Sequence, residues 1–86
     1  MTTWASSKAL DSYNKALKIH EELDDRVGMA GDYYNIGSVL SKTSKEEALI
    51  YLDKAHAILR EFENENGYRH PLMDSVNTRI SELKDE

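Results

Sequence analysis

The sequence predicts an all-α fold of antiparallel helix pairs, about four helices in one domain spanning residues 1–86. Three observations carry this expectation. Apolar residues recur at three-and-four spacing along most of the chain. One proline and four glycines leave few places to break a helix. Residues 9–28 also return, shifted by 39, as residues 48–67.

That shift places Ala9-Leu10 on Ala48-Leu49, Lys15-Ala16 on Lys54-Ala55, Ile19 on Ile58, Glu22 on Glu61 and Gly28 on Gly67. Seven of 20 aligned positions are identical. Unrelated segments of ordinary composition would share roughly one or two. Leu23 over Phe62 and Asp24 over Glu63 keep the chemistry as well.

The first helix is expected over residues 5–25. Its inward face is Ala9, Tyr13, Ala16, His20 and Leu23, widened by Leu10 and Leu17. A second runs from Arg26 to Lys42, with Asp24 or Asp25 as its cap and Ala30, Tyr33, Ile36, Gly37 and Leu40 facing inward. Thr43-Ser44-Lys45-Glu46-Glu47 offers two overlapping capping boxes, Thr43 with Glu46 or Ser44 with Glu47, so a third helix starts near Lys45. It carries Ala48, Leu52, Ala55, Leu59 and Phe62 inward and ends around Asn64–Asn66, where Gly67 can close it. The fourth opens at His70-Pro71 and covers residues 70–84, proline suiting a first turn whose amide needs no partner. Its narrow seam of Met73, Val76, Ile80 and Leu83 reads as a terminal cap, with a partner on one side and water on the other.

Ala9, Ala16, Gly37, Ala48 and Ala55 are small where helices would cross, which allows close backbone approach. Gly37 is the informative one, because a glycine inside a helix costs ~1 kcal/mol unless packing requires it. A leucine there is expected to overpack the contact by about 1–3 kcal/mol.

With these elements in place, the chain resembles the tetratricopeptide repeat family. Tyr33-Tyr34-Asn35-Ile36-Gly37-Ser38-Val39-Leu40 is similar to the family's first-helix signature. Glu47-Ala48-Leu49-Ile50-Tyr51-Leu52-Asp53-Lys54-Ala55 is similar to the second, and the segment from Ser7 to Leu17 matches that second helix again. The period of 39 exceeds the usual ~34. It is closer to the long repeats of the kinesin-light-chain type, whose glycine and histidine-proline junction Gly67-Tyr68-Arg69-His70-Pro71 resembles. The resemblance implies helix pairs stacked as a short right-handed superhelix. Residues 5–25 would then be the second helix of a partial repeat, 26–66 one full repeat and 70–84 a capping helix.

Composition narrows the function. Sixteen acidic and 11 basic residues give a net charge of −5, and the basic residues stand singly. A nucleic-acid binder is expected to show a basic face, so that class is set aside. No stretch approaches the ~18 apolar residues of a membrane span. Met1-Thr2-Thr3-Trp4-Ala5 lacks the basic start and apolar run of a secretory signal. Cysteine is absent, which removes disulfides and thiolate metal sites. A cytoplasmic setting without cofactor or metal is expected.

No catalytic constellation emerges either. His20, His56 and His70 include no pair four residues apart, so none forms the helical metal grip of HExxH. They read as structural histidines, His70 serving the turn before Pro71. Glu21-Glu22 and Asp24-Asp25 lack the alternating oxygen ligands and central glycine of an EF-hand loop, and read as a helix end with its cap. Gly28 and Gly31 fall inside the capped start of a helix and form no phosphate loop. The chain is therefore expected not to be an enzyme.

The resemblance implies that first helices line a concave groove that takes a segment of another protein. On the helix Arg26–Lys42, the residues beside the buried stripe include Tyr34, Asn35, Ser38, Ser41 and Lys42. Tyr34 reads either as an exposed anchor or as packing against the last helix. Asn35 matches the family's groove asparagine, whose amide can donate to and accept from a bound backbone. Asp74, Asn77 and Thr78 of the last helix are expected to join the groove. The basic pair of the family's carboxylate-clamp branch is missing, with Lys42 alone nearby. The competing expectation is self-association through exposed helix end faces, the Trp4 end having no obvious polar cap.

Overall fold

The computed structural model describes residues 3–85, with side-chain burial for residues 7–85. Four helices follow in order: α1 Thr3–Glu22, α2 Arg26–Leu40, α3 Lys45–Asn66 and α4 Leu72–Lys84. No strand occurs among the described residues. Among the described residues no helix is long and apolar enough to cross a membrane.

Hydrogen bonds at the helix ends decide where each element stops. The amide of Asp25 bonds the carbonyl of His20 at 2.8 Å and that of Asp24 bonds Glu21 at 3.1 Å, with Asp24 left-handed at φ 57°. This is the Schellman closure, and it ends α1 at Glu22 instead of residue 25. Asp25 then caps α2, its carboxylate accepting from the Gly28 amide at 2.9 Å. At the other end α2 stops at Leu40, short of Lys42, because the amides of Thr43 and Ser44 both turn back onto the Leu40 carbonyl. The Thr43 hydroxyl donates to that same carbonyl at 3.3 Å, so Ser44 is left to cap α3 by accepting from the Glu47 amide.

Gly67 closes α3 as expected, at φ 80° with its amide on the Glu63 carbonyl at 2.8 Å. Helix α4 begins at Leu72, with Pro71 just before its first turn. His70 serves this turn directly. Its Nδ1 accepts from the Leu72 amide at 3.0 Å while its ring meets Phe62 edge-on at 5.2 Å. Tyr68 meets the same Phe62 ring at 5.4 Å, so three aromatic groups brace the α3–α4 corner.

Helix α2 touches all three others, α3 also touches α4, and among the described residues α1 touches only α2. The result is flat, 43 × 33 × 17 Å. One apolar cluster joins Ala30, Ala55, Ile58, Leu59, Met73 and Val76, and a second joins Ala48, Leu52 and Leu83. Tyr34 and Ile80 pack against both.

Gly37 lies where the small-residue reasoning places it. A Cβ there would come within 2.9 Å of Leu52 Cγ and 3.1 Å of the Ala48 carbonyl oxygen, while Ala48 and Ala55 are fully buried. On α1 the expected face is the covered one except at Leu23, but its burial is shallow. Ala9, Tyr13, Ala16, Leu17 and His20 are only half-buried, and Leu23 is 70% exposed in the turn after the helix. Among the described residues α2 is the one helix that contacts α1, so the α1 face is covered from one side. The Trp4 side chain lies outside the described residues.

The shift of 39 does not carry one helix closure onto the other. Asp24, the left-handed residue ending α1, would land on Glu63, still inside α3. Gly28 would land on Gly67, yet Gly28 is helical and sits against His20 and Asp25 while Gly67 is a left-handed cap. That identity in sequence is not an equivalence in structure.

Two glycines of α2 provide an internal comparison. Around a Cβ on Gly31 nothing lies within 4 Å. Gly31→Ala is expected to raise stability by up to ~1 kcal/mol through helix propensity alone. Gly37→Ala gains the same propensity but presses on the Leu52 branch carbon and the Ala48 carbonyl, an overpacking of about 1–3 kcal/mol that turns the net effect destabilising. Urea midpoints of the two variants should move in opposite directions.

Candidate partner-binding groove

A shallow depression of about 250 Å³ lies between α2 and α4, lined by Tyr34, Asp74, Ser75, Thr78, Arg79 and Glu82. Three of the expected groove residues, Tyr34, Asp74 and Thr78, therefore meet there. Asp74 and Thr78 are one helical turn apart and share a face of α4. Of the two readings of Tyr34, the packing one is seen, and the side chain is half-buried. Its side chain packs against both apolar clusters and also forms part of the groove wall.

The other expected residues divide. Asn35 and Ser38 are half-buried on α2, and the Ser38 Oγ is fully covered without a hydrogen-bond partner. Ser41 donates its hydroxyl to the Ser38 carbonyl at 2.6 Å, which engages it with its own helix end. Lys42 is exposed in the turn beyond α2. Asn77 faces elsewhere, lining a separate cavity of about 350 Å³ with His56, Arg60 and Glu63 of α3. The sequence held the clue: Asn77 is one turn from Met73, which belongs to the buried stripe.

Charges at the groove are paired. Arg79 lies 3.8 Å from Glu82, and Arg69 donates to Asp74 at 2.9 Å. What the depression offers is an aromatic edge, hydroxyls and compensated ion pairs, a surface suited to polar main chain more than to a strongly charged ligand. Ser75, Arg79 and Glu82 escaped the sequence reading because only their neighbours on the wheel were tied to the buried seam.

The strongest electrostatic feature lies at the α1–α2 contact. His20 Nδ1 is 2.6 Å from Asp32 Oδ2, and its Nε2 is 4.0 Å from Asp25 Oδ2. Asp32 is 6% exposed, the one buried charged side chain among the described residues. Burial of a lone carboxylate is costly, and the imidazolium compensates it. The hydrogen bond to Asp32 raises the His20 pKa above its ordinary 6.5, partial burial opposes this, and the charges of Asp32 and Asp25 add to the rise. Among the described residues, no group of three or more His, Cys, Asp or Glu is placed to hold a metal ion.

Comparison with family models, with curated proteins and with solved structures returns no match for this chain.

The His20–Asp32 pair makes stability depend on pH. A raised folded pKa means that the contribution is fully present below the unfolded value near 6.5 and is lost as pH rises through the folded value. Urea titrations over that range should therefore show stability falling with rising pH. Asp32→Asn should lower stability at acidic pH and flatten the dependence. An unchanged slope in Asp32→Asn would assign it to another group.

Proposed function

We propose that this protein is an interaction module of the tetratricopeptide type, with helices stacked as a short right-handed superhelix and a segment of another protein bound between α2 and α4. The observation that carries the reading is the convergence of Tyr34, Asp74 and Thr78, from two helices, on one depression. The close contact of Gly37 with Ala48 and Leu52 supports the family likeness, since the two signature helices meet there through their small residues.

A binding role without catalysis is supported by how the histidines are used. His20 is engaged with Asp32 and His70 with the Leu72 amide and the Phe62 ring. The net charge of −5 and the scattered basic residues favour a protein partner over nucleic acid. A cysteine-free, cytoplasmic setting without cofactor belongs to the same reading.

Thr78→Arg tests it, because Thr78 is exposed and lines the groove, where a larger, charged side chain would obstruct a bound segment. Proteins retained by the immobilised wild type should be lost from Thr78→Arg, with binding of an identified partner reduced about tenfold or more. In the wild type, partner addition should shift resonances of Tyr34, Asn35 and Thr78. Equal retention by both proteins would remove the groove from consideration.

Self-association is the second reading, favoured by the exposure of Ile19 at 53% on α1 and of Leu23 at 70% in the turn that follows it. Light scattering decides it. A concentration-dependent mass that Leu23→Glu abolishes would support pairing through α1, and a constant monomer would exclude it.

A further inference from the structure

We propose that a second pocket, between the α1–α2 turn and the C-terminal half of α3, takes a basic peptide segment carrying one large apolar side chain. This pocket shares no residue with the groove between α2 and α4, so the inference stands apart from the function proposed above.

The pocket has a volume of about 280 Å³. That is below the roughly 300–1,000 Å³ of whole small-molecule sites, and suits a single side chain. Val27, Ile58 and Phe62 supply its apolar lining, and Asp24, Glu61 and Glu65 supply carboxylates. Phe62 is already held edge-on by Tyr68 and His70, so this wall does not have to be ordered on binding. Leu23, next to Asp24 in the turn, is 70% exposed.

Charge selects the occupant. Arg26 also lines the pocket, but its guanidinium donates to Glu61 at 2.8 Å and those two charges cancel. Asp24 and Glu65 make no ion pair among the described residues, which leaves the pocket net acidic. An apolar anchor flanked by arginine or lysine would bury its side chain against Val27 and Phe62 while its charges meet the two free carboxylates. The net charge of −5 steers such a segment toward the molecule. The same net charge makes a second copy of this chain a poor occupant, since each copy repels the other.

The test uses a dye-labelled peptide with one leucine between two pairs of arginines, followed by fluorescence anisotropy on the full chain. Saturable binding is expected, weakened about tenfold when leucine is replaced by alanine, and weakened by added salt. Glu65→Lys changes an exposed helical residue and should reduce affinity severalfold, with the circular dichroism of the wild type. Amide shifts should centre on Leu23, Val27 and Phe62. Absence of saturable binding would overturn the proposal. So would equal binding of the alanine peptide, equal binding by Glu65→Lys, or shifts centred on Tyr34 and Thr78.

Discussion

The approach of α2 to α3 at Gly37 sets the geometry on which the other contacts depend. With no Cβ at this position, the Leu52 side chain and the Ala48 carbonyl fit against the α2 backbone. Leu52 can then be fully buried, and Tyr34 can pack against both apolar clusters. The groove wall on α2 is thus fixed from behind by the same contact that joins the helices. Protein interiors are close-packed, so a displacement at Gly37 would be transmitted to Tyr34 with little room to dissipate.

Helix α1 is held differently. It has no fully buried side chain among residues 7–22 and, among the described residues, one neighbouring helix. Its contact with α2 combines half-buried apolar residues with the His20–Asp32 pair. Gly28 lets this pair form, since a Cβ there would lie 2.7 Å from both the His20 ring and the Asp25 carboxylate. The contact between α2 and α3 is set by shape, whereas that between α1 and α2 depends partly on charge. The second kind is specific but sensitive to protonation, because an unpaired carboxylate at 6% exposure is unfavourable.

The two candidate partner surfaces differ in the same way. Between α2 and α4 the acidic and basic groups are matched, leaving an aromatic edge and hydroxyls to discriminate. Beside the α1–α2 turn, two carboxylates remain unmatched around an apolar lining, and the aromatic corner keeps Phe62 in place. Charge left uncompensated on a surface influences encounter and choice of partner more than it influences folding.

Much of this architecture follows from local sequence chemistry. Four helices, the Gly67 closure, the role of His70 before Pro71 and the close contact at Gly37 all depend on spacing, backbone dihedral preference or the lack of a side chain, which are readable in one dimension. Where two neighbours could do the same work, as with Thr43 and Ser44 or Asp24 and Asp25, the preceding helix end decided by engaging one of them. Depth of burial along α1, the side of α4 that Asn77 faces and the pairing of His20 with Asp32 were settled only by tertiary packing. Each depends on which helices surround a given face, and helical periodicity reports that a face exists without reporting what covers it.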